Sequence, residues 1–358
     1  MGRVAALDGL RGMAITLVLW NHLVGPLLPP GWLAAVTQQA WVGVDLFFAL
    51  SGFLIGGILI DRRDSPRLME VFYLRRGARI LPLYFLALAV VMIAVLDGMP
   101  GSYHNSPLWV YPFFLTNLAY AFSGMWDWRP LAVFWSLAVE EQFYLAAPWI
   151  VRACQPERLG WLAVGIVGCA EVLRIGAQLV SPGTHLFIHV LTPFHMDALG
   201  FGILVAWMVR NPRSDRTISF IVAHWRLVAL AGMVLLLGLD WLRSGPGAMQ
   251  MSLWGYPVVG AGCGLLVLVA VRGGPSSFAR ILALPLLGRL GRRSYFIYLF
   301  HHFGWYALAA LLGLAVEAHW WAAACTSAAT VALTWIAAEC SWRWIEEPII
   351  AWGHRKKY

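Results

Sequence analysis

Runs of close to twenty residues with almost no charge recur along nearly the whole 358-residue chain. A helix needs about that length to cross a hydrocarbon layer roughly 30 Å thick. Ten such runs, at roughly 7–28, 40–60, 78–97, 133–151, 160–180, 192–209, 226–242, 251–271, 294–314 and 321–345, predict an all-α, polytopic transmembrane helix bundle of about ten spans. Composition agrees, with 60% hydrophobic residues, 12% charged residues and a mean hydropathy of +0.69. A soluble globular chain carries about 25% charged residues, so a soluble enzyme, a disordered chain and a collagen-like chain are excluded. A shorter apolar piece at 107–122, rich in proline and aromatics, reads as a re-entrant or interfacial segment packed on protein.

The formal charge of +8 would suit a nucleic-acid partner, but the 26 basic residues sit almost entirely between the apolar runs. That is the positive-inside pattern. Segments 61–79, 210–226 and 272–293 and the tail Arg355, Lys356 and Lys357 carry most of them, while the opposite side keeps little beyond Arg129 and Arg243. With ten spans, all the basic segments fall on one side, which places both termini in the cytoplasm and the chain in the inner (plasma) membrane with the bilayer as its solvent. Asp8 and Arg11 interrupt the first apolar stretch and no small-residue cleavage site follows, so it reads as a retained helix. The five cysteines have no metal-ligand spacing, and no metal is expected. No repeat or long linker divides the chain, so residues 1–358 are read as one domain.

Ionisable groups inside spans are expensive and mark functional sites. In LDGLRGMAITLVLWNH, Arg11 and His22 lie eleven residues apart, within about 20° of one helix face and about 16 Å apart along the axis. Arg76 and Arg79 share a face in FYLRRGARILPLY, where guanidinium forks suit either phosphate oxygens or lipid headgroups. In FWSLAVEEQFYL, Ser136, Glu140 and Tyr144 recur every four residues on one face, with Glu141 about 100° away. Asp45, His195, Asp197 and His301 are scattered and each alone suits an interhelical hydrogen bond. Glu171 and Arg174, three apart, read as a buried pair.

These stretches, with VGVDLFFALSGFLI, FWSLAVEEQFYLAAP, GRRSYFIYLFHH and the terminal WIEEP, resemble in order and spacing the acyltransferase-3 family of integral membrane O-acyltransferases. The resemblance implies transfer of an acyl group, most often acetyl from acetyl-CoA, to a hydroxyl of a carbohydrate outside the cytoplasm. It implies His22 as the catalytic residue with Glu140 or Asp45 to orient it, Arg11, Arg76 and Arg79 for the acyl-CoA donor and His301 near the substrate, where Ser136 and Tyr144 on the Glu140 face are further candidates. The family often has arginine where this chain has His195. Some members add a C-terminal esterase-like domain; here the membrane part alone is expected. The implied partners are acyl-CoA, a carbohydrate or glycolipid acceptor and the lipid bilayer, with no nucleic acid. The rival readings are a proton-coupled permease or flippase, since buried His, Asp and Arg also mark transport, and an acyltransferase acting on a small hydrophobic acceptor such as a macrolide or a lipid. Internal repeats and paired broken spans, the usual marks of a transporter, are absent from the sequence. Nothing in the residues reads the acceptor's identity or the oligomeric state.

Overall fold

A computed structural model of the chain describes residues 5–29, 31–99, 101–181, 185–241, 251–274, 276–313 and 319–358. Among these residues there is no strand, and each apolar run lies on a long helix. The helices are α1 (Ala5–Leu19), α2 (Val42–Arg62), α3 (Leu68–Leu96), α4 (Phe134–Ala153), α5 (Leu159–Val180), α6 (Thr192–Met208), α7 (Asp215–Trp241), α8 (Tyr256–Arg272), α9 (Pro285–Leu311) and α10 (Trp320–Ser341). Seven helical segments, from Gln39–Arg62 to Trp320–Gly353, are long and apolar enough to cross a membrane. The chain is therefore a helical, multi-pass membrane protein. Arg243 lies outside the described residues.

Three helices start about ten residues before the apolar runs that announced them: α3 at Leu68, α7 at Asp215 and α9 at Pro285. Arginine is a good helix former, and its long stem carries the charge out to the membrane surface. A large part of each basic segment is thus helical, and Arg75, Arg76 and Arg79 are held on α3 itself. Segment 107–122 forms a short turn at Leu108–Val110 and a helix at Thr116–Ser123. Its Tyr111 and Tyr120 are fully buried, and the Tyr84 hydroxyl of α3 donates to the Tyr111 carbonyl at 2.6 Å.

Two helix pairs approach so closely that only glycine fits between them. A Cβ on Gly291 of α9 would stand 1.8 Å from the Asp8 carbonyl oxygen of α1, and one on Gly12 would stand 2.1 Å from that of Leu287. In the second pair, a Cβ on Gly52 of α2 would lie 2.1 Å from the Leu199 oxygen of α6, and one on Gly202 would lie 2.2 Å from the Ala49 oxygen. Without water to drive helices together, close backbone approach of this kind supplies the association energy in a bilayer. The first pair brings His22 to His301 and His302, and the second brings Asp45 to His195. By contrast α7 leans on α8, and its Pro212–Leu235 stretch is only 6% buried.

Candidate active site

Two cavities occupy opposite halves of the bundle. The first, of about 760 Å³, lies toward the arginine-rich helix starts. Arg11 of α1 and Arg76 and Arg79 of α3 line it, facing Ser136, Glu140, Glu141 and Tyr144 of α4. The Ser51 hydroxyl of α2 donates to Glu140 and lies 2.9 Å from the Tyr144 hydroxyl, which ties α2 to α4 across this cavity. Three guanidinium groups and two carboxyls therefore share one chamber. Such a site can grip an anion while its own carboxyls balance the charge when it is empty. Glu141, although turned away from the Ser136–Glu140–Tyr144 face, also reaches the chamber.

The second cavity, of about 1160 Å³, lies at the other ends of the same helices. Its walls include His22 and His302, Asp45 with His195, and the aromatic groups Trp41, Trp126 and Trp135. His22 sits in a π-helical turn, Trp20–Val24, that continues α1. Such wide turns occur mostly as single insertions and often at functional sites. Asp127, also on the wall of this cavity, accepts hydrogen bonds from the Tyr111 hydroxyl and from the backbone N–H groups of Asn105 and Ser106. Burial and the neighbouring Asp127 push the Tyr111 hydroxyl well above its ordinary range, so it stays a neutral donor.

Hydrogen bonds assign the tautomers of the two facing histidines. His301 Nδ1 lies 2.8 Å from the Tyr298 carbonyl and 3.2 Å from that of Ile297. Carbonyls only accept, so this nitrogen carries the hydrogen, and the neutral ring's Nε2 is an acceptor. His22 Nδ1 lies 2.8 Å from that Nε2 and therefore donates to it. The proton of His22 is thereby fixed on Nδ1, and its Nε2 keeps a lone pair. A base oriented by a hydrogen bond on its far nitrogen is the arrangement that general-base catalysis uses.

The cavities have two wall residues in common, Val44 and Tyr298. The Tyr298 hydroxyl is pinned by Ser136 at 2.6 Å, and the Tyr298 carbonyl is the acceptor that orients His301. One residue of α9 therefore forms part of the partition and also holds the histidine pair in register.

The sequence-predicted residues thus fall into two groups. Arg11, Arg76, Arg79, Glu140, Ser136 and Tyr144 gather in the first cavity. His22 and Asp45 gather in the second, with His301 directly behind His22. The ring partner of His22 is His301; Glu140 bonds Ser51, and Asp45 faces His195 at 3.5 Å. His195, at the position where the resemblance leads one to expect arginine, donates from Nε2 to the His189 carbonyl at 2.5 Å. Glu171 and Arg174 pair at 2.7 Å, and Arg174 also reaches Asp197 at 2.8 Å. Sequence reasoning did not single out Ser51, Val44, Tyr298 or His302. Ser51 stands as one polar residue in an apolar run, the signal that flagged Asp45, and His302 directly follows His301, whereas Val44 and Tyr298 are apolar and aromatic residues among others of their kind.

The family described as the acyltransferase domain matches residues 4–339. The chain is similar to the O-acetyltransferase OatA of Staphylococcus aureus strain NCTC 8325 and to OatA of strain COL. Each is 26% identical over 324 residues, which is 83% of this chain and 49% of the relative. The chain thus spans about half the length of the curated relatives it matches. No solved structure matches it.

Proposed function

The chain belongs to the acyltransferase family matched by its residues 4–339, and on that premise we propose that it is a plasma-membrane O-acyltransferase. It moves an acyl group, acetyl in the first instance, from acyl-CoA on the cytoplasmic side to a hydroxyl of an extracytoplasmic glycan or glycolipid. The observation that carries this reading is the back-to-back pair of cavities, arginine-rich on one side and histidine-bearing on the other, with Val44 and Tyr298 in common. In this reading both termini and the arginine-rich helix starts face the cytoplasm, and residues 1–358 act as one domain.

The donor's phosphates meet Arg11, Arg76 and Arg79, where charge-assisted bonds to planar guanidinium groups are strongest. Glu140, held by Ser51, balances and positions these arginines in this reading rather than touching the reacting atoms. The thioester passes between Val44 and Tyr298 toward His22. There the Nε2 lone pair takes the proton of the acceptor hydroxyl while its oxygen attacks the thioester carbonyl. The tetrahedral intermediate collapses with loss of the CoA thiolate, and the imidazolium returns the proton to that sulfur. His301 acts as a positioning residue, holding the His22 proton on Nδ1.

The experiment uses the purified chain with acetyl-CoA, reading free thiol with and without candidate glycan, lipid and macrolide acceptors. Acceptor-dependent thiol release that stops in His22→Ala is the expected result. Absence of any thiol release, with the protein folded and donor bound, overturns the reading.

A further inference from the structure

The two helices brought together at Gly12 and Gly291 place three imidazoles in one cluster. The candidate ligand atoms of His22, His301 and His302 all lie within 4.8 Å of one another. His301 and His302 are buried and His22 half-buried, and the ring centroids are 5.1 Å (His22–His301), 4.4 Å (His22–His302) and 4.4 Å (His301–His302) apart. His301 donates its far nitrogen to the Tyr298 carbonyl at 2.8 Å. That is the support a metal-ligating histidine almost always has, since it fixes the ring and keeps the lone pair on Nε2, which here accepts from His22. One nitrogen pair already stands near the spacing an ion needs, and the third nitrogen closes in from within 4.8 Å. Two nitrogens at about 2.0–2.1 Å from a tetrahedral zinc stand roughly 3.3 Å apart, and the His22–His301 nitrogens at 2.8 Å need to open by only about half an ångström to reach that spacing. Three neutral nitrogens with no carboxylate among them suit zinc, copper or nickel and not calcium or magnesium. Both His22 and His302 line the second cavity, so water has access to a fourth position.

We propose that His22, His301 and His302 form a site for a divalent transition ion of the zinc type, and that occupancy of the site silences acyl transfer. The second half rests on the reading of His22 as base. A metal at Nδ1 takes the lone pair there and moves the ring proton to Nε2. No proton is gained or lost, but the lone pair that accepts the acceptor's proton is gone. Short-spacing motifs miss the site because its ligands are an adjacent pair and a third residue 279 positions away.

The test uses the metal-stripped full chain in detergent, titrated with Zn2+ for stoichiometry and with Co2+ for its visible absorption. One ion per chain, with tetrahedral Co2+ bands, is expected. His301→Ala and His302→Ala should each weaken binding at least tenfold, while His189→Ala leaves it unchanged. His302→Gln, which keeps a polar side chain of similar reach, serves if the alanine variant folds poorly. Zn2+ should also stop acetyl transfer by the wild type. Absent stoichiometric binding, or binding indifferent to His301 and His302, overturns the site. Binding without inhibition overturns the silencing and counts against His22 as base. A metal-free chain that binds Zn2+ as expected yet never transfers acetyl leaves the site standing and removes the proposed function instead.

Discussion

The Ser136 hydroxyl lies 2.6 Å from the Tyr298 hydroxyl at the partition between the two cavities, where Val44 forms the other common wall. If the acyl group crosses here, side-chain size at this point sets which acyl chains pass. Val44→Ala should raise the butyryl-to-acetyl ratio of kcat/KM by about tenfold, since a methylene in an apolar passage is worth about 1–3 kcal/mol. Val44→Trp should block even acetyl transfer while donor binding persists. Rates for acetyl-, butyryl- and hexanoyl-CoA read the outcome, and an unchanged ratio in Val44→Ala would place the route elsewhere.

His22→Ala should lower acyl transfer by about 10²–10⁴-fold, the usual loss for a general base. His301→Phe removes the acceptor for His22 Nδ1–H and frees the ring to adopt the other tautomer. It should lower kcat by less than His22→Ala and displace the pH profile of kcat/KM, a change that a merely structural lesion does not produce. Equal losses with an unmoved profile would make His301 a packing residue.

The helical class and the chemistry-bearing stretches were legible in the sequence because charges inside apolar runs are conspicuous. The eleven-residue step from Arg11 to His22 put both on one helix face, and each lines a cavity, Arg11 the first and His22 the second. What the pattern lacked was pairing between helices. A stripe on α1 does not name the residue facing it, and His301 is 279 positions away. The apolar runs also do not mark where helices start. Hydropathy marks where lipid begins, whereas a helix begins where its backbone does, ten residues earlier at Leu68. The partition was illegible because Val44 and Tyr298 are ordinary apolar and aromatic residues whose role comes only from position.

Arg76→Ala and Arg79→Ala should each weaken donor binding by about 1.5–3 kcal/mol if the guanidinium bonds phosphate. The comparison that decides uses an acetyl-pantetheine thioester without nucleotide phosphates. Both variants should handle that truncated donor nearly as the wild type does. A loss of the same size for both donors would make the arginines lipid anchors.

Gly52→Val and Gly291→Val should cost folded protein rather than chemistry. Their new Cβ atoms would fall 2.1 Å from the Leu199 oxygen and 1.8 Å from the Asp8 oxygen, which forces the backbones apart. Overpacking costs typically about 1–3 kcal/mol and sometimes more. Thermal unfolding in detergent should shift clearly downward in both. Gly262→Val, where a Cβ meets nothing within 4 Å, is the control and should melt as the wild type does.

Sidedness follows from the charge pattern and the cavities together. The arginine-rich helix starts and the first cavity lie at one end, while His22 opens on the other cavity. On the proposed reading, a donor at Arg76 and Arg79 and an acceptor at His22 should approach from opposite faces, with the acyl group crossing the membrane during transfer. In sealed vesicles of known orientation, product should form with acetyl-CoA on the cytoplasmic side and acceptor on the other. Product formed only when both are on the cytoplasmic side would overturn this. The underlying topology is read by single cysteines in a background lacking Cys154, Cys169, Cys263, Cys325 and Cys340. Asp64→Cys and Asp215→Cys, whose native side chains are 94% and 63% exposed, should label only from the cytoplasmic side. Tyr103→Cys, at a position 50% exposed beside the second cavity, should label only from outside. If Tyr103→Cys labels from the same side as Asp64→Cys, the two cavities do not face opposite compartments and the transmembrane route fails with them.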